Sequence, residues 1–189
     1  MSNYRPEDVL AFWFGSGADR GKRHKRWFEK DAAFDAEVSR HFLPLYEKRA
    51  GDRAWLDDAG SCLARILVLD QFPRHMFRGN ARAFAADALA LEAARVAVES
   101  GYDRGMLPVE RLFAYLPFEH SEALADQQRA CELTEPLVAY AETADAHRYA
   151  LAHYDIVARF GRFPHRNAAL GRDSTPEEIA FLKEPNSSF

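Results

Sequence analysis

Apolar residues recur along this chain at three- and four-residue spacing, and clear period-two alternation is missing throughout. That pattern predicts helices and gives a sheet no convincing strands. Pro6 at a first helical position leads into Val9, Leu10, Trp13 and Phe14, and Gly15 stops the run. Asp31 is placed to cap a second helix in which Phe34, Val38, Phe42, Leu45 and Tyr46 repeat until Gly51. Ser61 is read as the cap of a third, through Leu63, Ile66, Leu67 and Leu69 to Phe72, where Pro73 should end or kink it.

The second half continues in the same way. Asn80 is read as opening an Ala-rich helix through Phe84, Ala88, Leu91 and Val98 to Gly101, and Pro108 as starting another with Val109, Leu112, Phe113 and Leu116 that Pro117 closes. Ser121, with Glu122 in its first turn, should start a helix reaching about Glu142 and bent by Pro136. One more carries Ala150, Tyr154, Ile156, Val157 and Phe160 up to Gly161. Thr175-Pro176-Glu177-Glu178 is a capping box leading into Ile179, Phe181 and Leu182, the sharpest helix start in the chain. The expected fold is all-α, one domain over residues 1–189, built of antiparallel helix pairs.

Composition narrows the function classes. The 189 residues are 48% hydrophobic and 13% aromatic, ample for a core, and the net charge of -4 supplies no global basic field. No nucleic-acid partner is expected. Cys62 and Cys131 stand alone among apolar neighbours, with no CxxC, and read as buried thiols. The N-terminus lacks a signal-type apolar stretch and nothing downstream approaches a spanning length, so a cytoplasmic protein without a membrane partner is expected. Lys and Arg at positions 20, 22, 23, 25, 26 and 30 surround Trp27 and Phe28. They form the one basic patch, which RNA or an acidic partner could bind, but are read in preference as solvated charges flanking two core aromatics.

Candidate chemistry sits where an apolar helix meets proline. Phe72-Pro73-Arg74-His75, Leu116-Pro117-Phe118-Glu119-His120 and Phe163-Pro164-His165-Arg166-Asn167 share that arrangement. Proline there should leave backbone N–H groups pointing outward, and Arg74, Arg78, Arg159, Arg162 and Arg166 have the guanidinium geometry that clamps a carboxylate or phosphate. The competing reading pairs those arginines with Asp70, Glu119 and Glu122 as ion pairs that fix the bundle. Glu119-His120-Ser121-Glu122 with Asp126-Gln127 is the densest acid/base cluster, and Glu122 and Asp126 should share a helix face. Neither a Glu-x-x-His pair nor HExxH occurs, so no metal is expected, and no motif calls for a cofactor. A nucleophile elbow is also missing, which leaves covalent catalysis without support.

Four blocks resemble a known family: Val9-Leu10-Ala11-Phe12-Trp13-Phe14-Gly15, Leu69-Asp70-Gln71-Phe72-Pro73-Arg74, Leu116 to Glu122, and Arg159 to Asn167. They are similar to the signature blocks of the bacterial "domain of unknown function 924" family over nearly the whole chain. The resemblance implies an all-helical, tetratricopeptide-like array, and carries over Asp70, Gln71, Arg74, Glu119, His120, Glu122, Arg162, His165, Arg166 and Asn167 as site members. His75 departs from that family's more frequent Asn.

Three functions follow as expectations. The first is a helical binding module whose polar face takes an anionic small molecule or an acidic peptide end. The second is an enzyme using Glu119 or Glu122 as base and His120 or His165 as acid, with the arginines orienting substrate. The third is an interaction scaffold presenting an apolar patch on a helix pair. Oligomeric state is not legible in the pattern.

Overall fold

The computed structural model describes residues 4–185 and 187–188. Among them the architecture is all-α: α1 (Pro6–Phe14), α2 (Ala32–Ala50), α3 (Ala59–Ile66), α4 (Phe72–Met76), α5 (Asp87–Glu99), α6 (Pro108–Glu119), α7 (Leu124–Thr134), α8 (Ala146–Phe160), α9 (Asn167–Leu170) and α10 (Pro176–Phe181). Short 3-10 turns join several of these, and no described residue is in a strand.

Helix ends follow local chemistry, with four departures from the sequence expectations. Asp31 caps α2 by accepting from the N–H groups of Ala33 and Phe34 at 2.9 and 3.1 Å. The Thr175 capping box on α10 is formed from both sides, at 3.2 Å from Glu178 N and 2.7 Å from Thr175 N to the Glu178 carboxylate. The first departure is at α3, which is capped by Asp58 rather than Ser61; Asp58 accepts from both the N–H and the hydroxyl of Ser61. Second, Asn80 caps only a 3-10 turn (Ala81–Ala83), and the long helix begins later, at Asp87. Third, Pro117 lies inside α6 and does not close it. So near the C-terminus, proline forfeits one helical hydrogen bond, while His120 N still reaches Leu116 O at 2.9 Å. Fourth, Pro136 ends α7 instead of bending it, because the chain continues as a 3-10 turn (Glu135–Ala139).

Pro73 produces the most consequential local feature. Between α3 and α4 the rod passes through a π turn (Leu67–Gln71), with Phe72 N donating to Leu67 O. Pro73 has no N–H for Leu69 O, so the wider turn sits where a regular bond is already lost. The turn directs Leu67, Val68 and Leu69 into the apolar core and buries Asp70 and Gln71 as well. A carboxylate in that position needs partners.

The core is aromatic. Trp13, Phe14, Phe34, Phe42, Phe72 and Phe113 are all buried, and Trp13 meets Phe72 and Phe113 at centroid distances of 5.6 and 5.4 Å. Such pairs contribute roughly 0.5–1.5 kcal/mol beyond their buried area. In the first half α1 packs on α3 and α3 on α5, skipping a neighbour, whereas α5 to α8 pack each on the next. A second small core gathers Ile156, Val157 and Phe163 with Phe160 and Phe181.

The basic segment after α1 is largely spoken for. Arg20 binds Glu110 at 2.7 Å, Arg23 binds Asp145, and Arg26 donates to Phe12 O. Trp27 is buried as expected, but Phe28 is half exposed and is not a core residue. No helix among the described residues is long and apolar enough to cross a membrane.

Candidate functional site

The π turn, the end of α6 and the turn before α9 bring titratable side chains to one corner. Asp70 is fully buried. Its Oδ1 lies 2.6 Å from His120 Nδ1 and 3.2 Å from Arg74 Nη1, while Gln71 Nε2 donates to Oδ2 at 2.6 Å. Burial alone pushes this carboxyl up, but Arg74 and His120 override it and hold Asp70 well below the usual carboxylate range. An ionised carboxylate only accepts, so His120 carries its proton on Nδ1.

Arg74 also donates to the main-chain carbonyl of Asp70 at 2.7 Å, and it grips Asp87 in a two-point pair at 2.9 and 3.0 Å. Arg166 reaches the same Asp87, on the Oδ2 that Arg74 also holds, at 3.4 Å, and donates to His120 O at 3.0 Å. Both guanidinium groups lie over the Phe84 ring, at 5.7 and 4.8 Å. One carboxylate thus serves two arginines. Burial, and then the nearby Arg74, lower the pKa of Arg166 to about 10. Its Nε is buried with no hydrogen-bond partner among the described residues.

Beneath this corner lies a second pair. His153 Nδ1 donates to Tyr149 O at 2.8 Å and approaches Glu119 Oε2 at 3.5 Å. Glu119 is 1% exposed, and its Oε1 has no hydrogen-bond partner among the described residues. Burial, reinforced by Asp70, raises its carboxyl to about 8, so Glu119 is protonated at neutral pH. Burial and the neighbouring cations push the histidines the other way: His120 is lowered, His153 falls to about 3, and His165 to about 4. All three are neutral at pH 7.

A different network occupies the far side of the same segment. Arg162 forms a two-point pair with Glu178 at 2.7 and 2.8 Å, and Glu178 also accepts from Asn167 Nδ2 and Thr175 N. Arg172 clamps Glu122 at 2.7 and 2.9 Å and donates to Phe163 O, while Glu122 accepts from Phe163 N. These groups tie α9 and α10 to the α6–α7 loop. Glu178 is held low, near 2, by Arg162 and by the Thr175 N–H.

The structure therefore gathers Asp70, Gln71, Arg74, Glu119, His120 and Arg166, with His165 close enough to be influenced by Arg166. Glu122, Arg162 and Asn167 belong to the second network. Arg78 pairs with Asp35, beside His75, and Arg159 with Glu177 at the surface, so neither shares a partner with the first cluster. Two expectations are corrected. Glu122 precedes α7 and does not share a helix face with Asp126; Ser121 is not the α7 N-cap, and its hydroxyl donates to Asp126 at 2.7 Å. Likewise Pro73 and Pro117 lie within continuous helical turns, so of the three proline segments only Pro164 opens a new one.

Sequence reasoning missed Asp87, Phe84, Arg172 and Glu178. Asp87 looks like an ordinary first-turn acid and Glu178 like half of a capping box. Nothing local marks either as the partner of a distant arginine.

Two open hollows lie elsewhere, one of about 230 Å³ between α7 and α8, lined by Gln128, Cys131, Leu151 and Tyr154, and one of about 330 Å³ flanked by Arg95 and Arg129. Among the described residues no group of three or more His, Cys, Asp or Glu side chains is placed to hold a metal ion.

Fold and corner together define an all-helical protein with an arginine, histidine and carboxylate cluster drawn from helices distant in sequence. The chain belongs to the family described as "Bacterial protein of unknown function (DUF924)", whose sequence model matches residues 9–186. It is similar to a solved structure from Agrobacterium tumefaciens, a protein of unknown function called ATU0120. The two are 43% identical and superpose with a TM-score of 0.82, over 94% of this chain and 96% of the other. Among curated proteins, none matches the chain.

Proposed function

We propose that the chain is a helical binding protein whose Arg74, Arg166 and His120 corner receives an anionic small molecule through a carboxylate or phosphate group. One observation carries this reading: Arg166 is 6% exposed, and its nearest carboxylate, 3.4 Å away, is already held in a two-point pair by Arg74. A buried guanidinium with an unsatisfied Nε is costly, by roughly 1–3 kcal/mol for the missing hydrogen bond. An anion entering the corner offers a further acceptor to the two arginines that share Asp87. The corner reaches solvent along Arg74 and His120, whose side chains keep 19% and 13% of their surface. Arg162 plays no part, since Glu178 already saturates its fork.

Thermal-shift titration with sulfate, phosphate, citrate and a peptide with a free acidic end tests the reading. A ligand at about 100 times its Kd stabilises by about 2.7 kcal/mol, and that shift should vanish in Arg166→Gln while persisting in Arg162→Gln. Shifts equal in both variants, or no shift with any of these anions, would sink it.

A further inference from the structure

We propose that His120 is the proton-accepting member of this corner: when an anion binds beside Arg74 and Arg166, the imidazole takes up one proton from solvent and donates Nε2–H to the ligand. The inference rests on the binding reading above and adds a chemical role to it.

The geometry sets up one edge of the ring for this task. Asp70 holds Nδ1 at 2.6 Å, which fixes the ring's orientation and its tautomer. Among the described residues the ring makes no hydrogen bond except to Asp70, and its side chain keeps 13% exposure, so Nε2 is the edge open to a partner. The backbone helps to place that edge, because Arg166 Nη1 donates to the carbonyl of His120 itself. Arg74 and His120 share one oxygen of Asp70, at 3.2 and 2.6 Å, so a ligand on the Arg74 guanidinium arrives beside the His120 ring.

Charges on every packed element explain why the proton should come with the ligand. Asp70 on the π turn favours the imidazolium, while Arg74 on α4 opposes it and Asp87 on α5 partly offsets Arg74. Arg166 and His165, on the turn before α9, and His153 on α8, 6.2 Å away ring to ring, crowd the same space. Glu119, the preceding residue of α6, adds no charge while protonated. Without a ligand, burial and Arg74 keep the ring neutral. A bound anion offsets the arginines and offers Nε2 an acceptor, and both changes favour the charged ring.

The other buried histidine of the corner is differently placed. His153 spends Nδ1 on Tyr149 O, deep against Glu119, and its side chain is more deeply buried than that of His120, at 7% against 13% exposed. The structure thus assigns the proton to the histidine that has both a buried carboxylate behind it and an open edge in front.

Calorimetry on the full chain with sulfate, which does not itself titrate near neutrality, separates the possibilities. Binding heats measured at pH 7.5 in buffers of different ionisation enthalpy should rise with a slope approaching one proton taken up. Affinity should weaken up to tenfold per pH unit above neutrality. In His120→Gln, sulfate should bind more weakly, through the arginines alone, and with no proton uptake. If that variant does not fold, the titration of the His120 ring followed by NMR, with and without sulfate, decides instead: a pKa that rises on binding supports the proposal, and an unchanged one overturns it. Sulfate binding with zero slope removes the role of His120 and leaves the binding site standing. Absence of any sulfate binding removes both.

Discussion

Arg162 and Arg166 sit four residues apart in one motif, and their surroundings differ in how far folding satisfies each guanidinium. Arg162 closes onto Glu178 with two short hydrogen bonds, and Glu178 in turn serves Asn167 and the α10 cap, so each strong group there has a partner. Arg166 is more deeply buried and worse paired, sharing Asp87 with Arg74 and leaving Nε unsatisfied. Identical side chains on one short segment thus end in opposite states, one saturated and one short of an acceptor. Guanidinium count therefore says little about binding; residual hydrogen-bonding capacity after folding says more.

The comparison can be broken, most severely, at Asp70. Replacing it with Ala leaves Arg74 and His120 without their shared carboxylate in a dry interior, and the expected loss is about 3–5 kcal/mol in urea unfolding. A loss below 1 kcal/mol would mean that the corner is wetter than its burial implies.

The next effect concerns pH. Glu119 has a folded pKa raised to about 8, so above the ordinary carboxylate range the unfolded chain releases a proton that the folded chain keeps. Stability from this group is complete at low pH and is lost as pH rises through 8, by an amount of the order of a few kcal/mol. His120, His153 and His165 have lowered values, so their contribution is complete above about 6.5 and is lost on acidification. From pH 6.5 to 8.5 the wild type should therefore lose stability and Glu119→Gln should stay nearly flat. Parallel curves for the two proteins would refute the assignment.

Glu178→Ala should lower Tm by about 10 °C, because it opens the saturated network and uncaps α10 at once, yet it should leave any sulfate response in place. Arg166→Gln should do the reverse. Asp87→Asn offers the sharpest contrast at modest size. Removing the resident competitor should tighten sulfate binding several-fold, read by calorimetry, at a small cost in Tm. Smallest of all is Arg159→Ala, which breaks a surface pair with Glu177 and should change stability by less than about 0.5 kcal/mol.

Much of the fold was legible because helix signals are local. Asp31, Gly161 and Thr175 mark helix ends by hydrogen bonds to residues two to four positions away, and the spacing of Phe34, Val38 and Phe42 shows which face is buried. The errors fell where a local rule has two outcomes. Pro117 can end a helix or ride in its last turn, and Pro73 can break a rod or be absorbed by a π turn; the packing around them makes that choice. The motif residues Asp70, Arg74, His120 and Arg166 stood out as polar groups beside apolar helices. Their division of labour did not, because Asp87 approaches Arg74 and Arg166 from 13 and 79 positions away in the chain.

What the sequence by itself determined is therefore the all-α class, most helix ends, the aromatic core and the family blocks, each of which follows from neighbours within a turn or two. Only the tertiary structure decided which arginine is saturated and which is short of an acceptor, that Glu119 lies protonated beneath His153, and that His120 turns its open edge outward from Asp70. Those properties depend on distances and desolvation between segments remote in the chain, and on that scale a periodic pattern carries no information.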